Sequence, residues 1–393
     1  MTIYDFDKVT DRRSTDCLKY DFAVQRGRPA DVLPLWVADM DFPVAAEITQ
    51  ALEKRCRHGI FGYSEAGASY FVAVRDWYAK HFGWQVRQEW LTKTPGVVFA
   101  LAMAVKAYSK PGEAVLLQRP VYYPFIEVIE DNGRRLVNSP LRLRDGRYEM
   151  DFADLERQIS EQNVKLMLLC SPHNPVGRVW TREELRRVGD ICLRHQVVVL
   201  SDEIHADFCW GDNKQTVFAQ LGAEYADNCV VCTSPSKTFN IAGLQVSNIF
   251  IPNKSLRRAF RRQVNAAGYS QLNAFGLTAC RAAYTGGEEW LRQVKAYIGA
   301  NIAFTKAYLE QYLPQIKLVE PEGTYLLWLD CNALGLSDAE REQWLWHKAR
   351  LWLDGGAIFG REGAGFERIN VACPRATLLR ALEQLRRAVA ELF

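Results

Sequence analysis

Between about Thr92 and Asn253 the chain alternates short, continuous apolar runs with amphipathic stretches, and no other feature restricts its fold so strongly. The runs are Glu113-AVLLQ, Lys165-LMLLC, Gln196-VVVLS, Cys229-VVCT and Ser247-NIFI, each bounded by turn residues. A strand with one face in water alternates polar and apolar residues, whereas a continuous run belongs to a strand covered on both faces. Between the runs lie helical patterns such as Thr181-REELRRVGDICLRH, with Thr181 as N-cap and Glu184 three residues on. The predicted fold is therefore α/β, with a mostly parallel, doubly wound sheet carrying helices on both faces.

Flanking segments extend this plan. Glu47–His58 and Ser69–Gly83 read as helices before the block, and Glu288–Gln311 and Ala376–Leu392 after it. The strand-like segments Gly323-TYLLWLD and Glu367-RINVAC interrupt the later helices, which predicts a second, smaller α/β domain. The expected division is an N-terminal segment, 1–46, packed with the small domain, a large domain, 47–285, and a small C-terminal domain, 286–393.

Composition narrows the class. The 393 residues suffice for a large core, and a net charge of +3 gives no reason to expect a nucleic-acid or membrane partner. Met1 to Arg13 alternates charges and lacks the apolar core of a secretory signal, and the apolar runs are far too short to span a bilayer, so the expected compartment is the cytoplasm. Ten cysteines in a chain this long do not suggest a disulfide framework, and Cys170, Cys192 and Cys280 sit in apolar runs as buried thiols would. Cys229 and Cys232 have C-x-x-C spacing, but they lie in a β-branched strand without a second ligand pair, so no metal site is expected.

In parallel α/β sheets, ligands bind just past the carboxyl ends of strands. The distinctive polar clusters fall at such points: Arg119-PVYYPF, Ser171-PHNPVG, Asp202-EIHADF and Ser234-PSKTFNIAG each follow a run. Thr94-PGVVFALAMAVKAY sets Pro-Gly before an apolar helix, a seat for a phosphate on free N–H groups. Singly, each has a plainer reading. Lys237 alone is a surface lysine, His205 a satisfied histidine, Tyr122 and Tyr123 packing residues, and Asp202 an N-cap. Their joint placement suits pyridoxal 5′-phosphate, which needs a lysine for its Schiff base, a carboxylate facing its pyridine nitrogen and an anion seat. Lys237, Asp202 and the Gly96 turn can supply these, with Asn174 donating to the ring's 3′-oxygen and Tyr122 lying against its face.

Together, Ser234-PSKTFNIAG, Asp202-EIH and Asn174-PVG resemble the fold-type I pyridoxal-phosphate enzymes, the aspartate aminotransferase superfamily. Asp11-RRSTDCLKYD, Leu33-PLWVADMDFP, Gly59-IFGYS and Phe359-GREGAGFERINVACPR resemble its bacterial cystathionine β-lyase or cysteine C–S lyase branch, from about Phe6 to Leu392. The resemblance implies that Lys237 carries the cofactor and moves the Cα proton, Asp202 pairs with the ring nitrogen, and Asn174 bonds the 3′-oxygen. Tyr122 would stack on the ring, and His205 stands where many relatives place a tyrosine. Gly96, Val97 and Val98 would offer backbone N–H groups to the phosphate and Ser234 its hydroxyl. Tyr63 would reach the phosphate of a neighbouring subunit in a homodimer, and Arg368 would clamp the α-carboxylate of an amino-acid substrate, ideally in a bidentate pair. Val98 replaces a frequent hydroxyl residue, and Gln245 stands where many aminotransferases have arginine. The implied reaction is α,β-elimination from L-cystathionine or another cysteine S-conjugate. An aminotransferase built on the same residues is the alternative, and a non-catalytic regulator that retains the cofactor is a second.

Overall fold

The structure, a computed structural model, describes residues 3–393; the first two residues of the N-terminal stretch lie outside it. Its centre is a seven-stranded sheet of β1 (Leu91–Thr94), β2 (Ala114–Leu117), β3 (Arg135–Asn138), β4 (Val164–Cys170), β5 (Val198–Asp202), β6 (Cys229–Thr233) and β7 (Ser247–Phe250). In space the order is β1-β7-β6-β5-β4-β2-β3. β7 runs antiparallel to both neighbours, and the other pairings are parallel. Four of the five apolar runs are thus parallel strands, and the fifth, Ser247-NIFI, is the antiparallel one. β2, β6 and β7 are buried at every position, as continuous apolar runs require.

Local signals set the element ends. Thr181 caps the Arg182–Arg194 helix with both bonds of the capping box formed to Glu184. Helices Ala46–His58 and Ala68–Phe82 each end at a glycine in the left-handed region, Gly59 and Gly83. All ten cysteines are free, with Cys229 and Cys232 buried in β6. No helix among the described residues is long and apolar enough to cross a membrane.

The C-terminal part builds a second sheet, ordered β8-β9-β11-β10, from β8 (Lys317–Leu318), β9 (Leu326–Asp330), β10 (Asp354–Gly355) and β11 (Phe366–Asn370). Its core strands are the two expected segments; the two-residue edge strands carry too little pattern to be read in advance. The N-terminal segment is stitched to this region and to the large sheet's side. Leu33–Pro34 pairs in parallel with Leu351–Trp352, and the Trp36 and Trp352 rings stack at 4.4 Å. Asn370 Nδ2 donates to the carbonyls of Val37 and Asp39, while Asn240 Nδ2 donates to those of Met40 and Phe42.

Between β10 and β11 the chain doubles back on itself. A Cβ added at Gly356 would lie 1.9 Å from the Gly363 carbonyl oxygen, so the two turns touch backbone to backbone. This contact fixes Phe359, whose carbonyl accepts from Val121 N at 3.0 Å. Gly356→Ala must push the turns apart, and we expect a loss of about 1–3 kcal/mol of stability, read as a lower urea midpoint. An unchanged midpoint would show that the contact is dispensable.

Candidate active site

Strand register brings the sequence clusters together. Cys170 lies opposite Asp202, and Asp202 opposite Cys232, so the segments that follow β4, β5 and β6 leave the sheet at one end. Because β7 is antiparallel, its first residues meet the last of its neighbours: Ser247 pairs with Thr94 and Asn248 with Thr233. The Gly96 turn and the Ser234 turn are therefore about two strand spacings, ~10 Å, apart. Ser247 Oγ, 2.7 Å from Thr94 Oγ1 and 3.0 Å from the Thr94 carbonyl, pins the first of these turns.

Gly96 caps the Val97–Tyr108 helix without a side-chain partner, and the N–H groups of the first turn have no acceptor within the helix. Val97 is buried and Val98 is partly exposed. Ser234 caps the short Pro235–Thr238 helix, its Oγ accepting from Ser236 N at 3.0 Å. The same hydroxyl lies 2.7 Å from the Val246 carbonyl and 2.8 Å from Ser236 Oγ. With one proton to give, Ser234 is engaged within its own turn.

Lys237 Nζ donates to the Ala38 carbonyl at 2.7 Å, an oxygen that also accepts from Tyr325 OH at 3.0 Å. Burial is the largest influence on the amine and lowers its pKa to about 8; Arg368 lowers it too, against the opposing pull of Asp39 and Asp202. Asp202 is buried, which raises its carboxyl to about 7, while the Ile204 N–H and Lys237 act the other way. Ile204 N donates to Asp202 Oδ1 at 3.1 Å. His205 is buried edge-on to Tyr325, its Nδ1 without a partner, and burial holds its pKa well below the usual imidazole range.

Asn174 and Arg368 are bound to each other. Arg368 Nη1 donates to Asn174 Oδ1 at 3.0 Å, and Tyr122 N to the Asn174 carbonyl at 3.0 Å. The Asn174 side chain therefore presents its NH₂ end elsewhere. Arg368 Nη2 donates to the Trp36 carbonyl at 2.8 Å and forms an ion pair with Asp354, and its guanidinium lies 4.9 Å from the centre of the Phe359 ring. Three of its five N–H groups are engaged, and Nε is buried without a partner. Tyr63 stands apart from all of this, 99% exposed in the single chain.

The donor set fits pyridoxal 5′-phosphate. A buried amine of lowered pKa, a buried carboxylate with an oxygen to spare and unpartnered buried nitrogens on His205 and Arg368 leave polar groups that need a ligand. The segment Trp36–Phe42 was read from the sequence only as a resemblance. Here its carbonyls hold Lys237, Tyr325, Arg368, Asn370 and Asn240.

Comparison with known proteins places the chain in a family. Residues 30–385 match the model of the family described as aminotransferase class I and II. Cystathionine beta-lyase PatB of Bacillus subtilis is 45% identical over 385 residues, covering 98% of this chain and all of the relative. Cystalysin from Treponema denticola, whose structure contains pyridoxal 5′-phosphate, superposes with a TM-score of 0.97 at 37% identity over the whole of both chains. The cofactor-bound C–S lyase from Staphylococcus hominis superposes at 0.92 with 32% identity, over 99% of this chain and 98% of its own.

The lysine's surroundings make a test. In cofactor-free protein, modification of Lys237 by an amine-selective reagent should be half-maximal near pH 8, because the neutral amine reacts. Asp202→Asn removes an anion that favours the charged amine and should move the midpoint lower. A midpoint near that of an ordinary lysine, about 10.4, would contradict the burial argument.

Proposed function

The chain belongs to the aminotransferase class I and II family, and we propose that within it this protein uses pyridoxal 5′-phosphate to eliminate the sulfur substituent of L-cystathionine or a related cysteine S-conjugate. The products are a thiol, pyruvate and ammonia. The observation that carries this reading is full-length likeness to relatives named for carbon–sulfur lysis.

When bound, the cofactor supplies an electron-withdrawing ring that makes the substrate's Cα proton removable. Lys237 would carry the cofactor and, once released as a free amine, would take the proton from Cα. Asp202 would hold a proton on the ring nitrogen through the oxygen that Ile204 leaves uncommitted. The Asn174 NH₂, its direction fixed by Arg368, would donate to the ring's 3′-oxygen, and Tyr122 would lie against the ring. Gly96, Val97 and Val98 N–H groups would hold the phosphate, joined by the Ser234 hydroxyl once it turns from the Val246 carbonyl, and His205 Nδ1 is a buried nitrogen without a partner that the cofactor could meet. Arg368 binds the α-carboxylate. Loss of the proton from Cα and of the thiolate from Cβ leaves an unsaturated amine that water converts to pyruvate and ammonia.

The reading also includes a homodimer, a cytoplasmic location and the three-part division of the chain at 46/47 and 285/286. Tyr63, Phe61 and Ile60 form an exposed apolar strip in the loop after Gly59, at 99%, 58% and 67% exposure. A second copy covering that strip would bring Tyr63 to the phosphate of its neighbour.

Borohydride treatment of the yellow holoenzyme should fix the cofactor to Lys237; label on another lysine would overturn the assignment. Lys237→Ala should lose several orders of magnitude in turnover. The enzyme should release pyruvate from L-cystathionine and transfer little amino group from L-aspartate to 2-oxoglutarate, whereas efficient transfer without pyruvate would make it an aminotransferase. Mixing Tyr63→Ala with Lys237→Ala should restore part of the activity, since one site of the mixed dimer carries neither change; an active monomer would refute shared sites.

A further inference from the structure

Beyond Arg368, Trp36, Arg26 and Arg28 of the N-terminal segment pack with Trp346 and Trp352 of the C-terminal part. Trp36 gives its carbonyl to Arg368 and its ring to Trp352, 4.4 Å away. The Arg28 guanidinium lies 4.1 Å from the centre of the Trp346 ring and 5.3 Å from that of Trp352, and 3.7 Å from the Glu342 carboxylate. Arg26 ends a short turn, Val24–Arg26, closed by Gly27 at φ 73°, and its guanidinium sits 5.4 Å from the Trp36 ring centre. Neighbouring arginines are paired, Arg350 with Asp31 at 3.2 Å and Arg361 with Glu362 at 3.2 Å. Arg26 is exposed, and among the described residues no carboxylate pairs with it.

Its position relative to the substrate is bounded on two sides. One bond joins the tryptophan beneath Arg26 to the arginine that takes the α-carboxylate. Its charge is also felt at Tyr123, together with those of Asp354 and Arg368. Tyr123 packs on Phe359, the ring under Arg368, at 6.2 Å between centroids. Arg26 is thus an exposed cation over an aromatic face whose own backbone holds Arg368.

We propose that Arg26 receives a carboxylate at the far end of the sulfur substituent, which makes it a specificity-determining residue for dicarboxylic thioethers such as L-cystathionine. The assignment rests on the elimination reading above. A single arginine without a carboxylate of its own recognises charge at a distance from Cα, leaving the chemistry at Cα and Cβ unaltered. The contact is made alike before and during the reaction, so it acts on KM and not on kcat.

Three substrates isolate the effect: L-cystathionine, S-(3-carboxypropyl)-L-cysteine, which lacks the distal amine, and S-(3-aminopropyl)-L-cysteine, which lacks the distal carboxylate. Arg26→Gln should raise KM about fivefold for the first two, the worth of one partly exposed ion pair, with kcat unchanged. The aminopropyl compound should change by less than twofold, and Arg26→Lys should recover part of the loss. Binding is followed in parallel through the cofactor's absorbance, so discrimination is measured even if no thioether is cleaved. Absence of pyruvate from the wild type would overturn the elimination reading alone. An equal loss for all three compounds, or none, in the binding titrations would overturn the assignment of Arg26.

Discussion

The 2.7 Å contact between Lys237 Nζ and the Ala38 carbonyl joins the parts of the chain on which the site depends. The lysine comes from a short helix at the end of a central strand, and the oxygen from an N-terminal loop about 200 residues earlier. That loop is itself held by strong charges. Lys19, wholly buried, lies 2.9 Å from Asp41, and Arg12 is 2.6 Å from Asp39 and 2.7 Å from Asp41. Burying a lysine and an aspartate is costly unless they meet. The cluster therefore accepts one arrangement of the loop, and with it one direction for the carbonyls of Trp36, Ala38 and Asp39.

The same economy of charge marks the end of β5. Asp202 and Glu203 are adjacent and both buried, and burial raises the two carboxyls to about 7 and about 8. Glu203 Oε1 accepts from Ser201 Oγ and from Phe218 N, so it serves the packing behind the sheet. Asp202 has only one backbone donor and the lysine's charge. Asp202 ends the strand and Glu203 follows it, so two adjacent like residues part company: Glu203 is bonded into the fold, and Asp202 keeps an oxygen uncommitted.

Most of the sheet was legible because buried strands must be apolar along their length, whereas Lys237, Asp202 and Asn174 stood out only by their joint placement at strand ends, and Arg368 only through the family resemblance. Their convergence could be expected from the strand-end rule and is seen in the register of Cys170, Asp202 and Cys232. The contribution of Ala38 and Trp36 was hidden for a physical reason: a backbone carbonyl is the same for every residue type, so no spacing announces it. Asp354 was hidden in a two-residue strand with no periodicity to read. The hydroxyl expected of Ser234 is engaged with Val246, a partner that only the antiparallel turn into β7 brings near. Arg26 lies in no motif at all, and its place beside Trp36 depends on the pairing of Leu33–Pro34 with Leu351–Trp352.

Asn174 carries a further consequence. A carboxamide is a rod with unlike ends, oxygen accepting and nitrogen donating, and a guanidinium can be met only by the oxygen. Arg368 therefore decides which way the rod points, although 194 residues separate the two in sequence. Aspartate at this position would have the same shape and still satisfy the arginine, but both of its ends would be alike. The polarity of the segment that follows β4 is thus dictated by a strand of the other sheet, and the two sheets share a single asymmetric amide as their common reference.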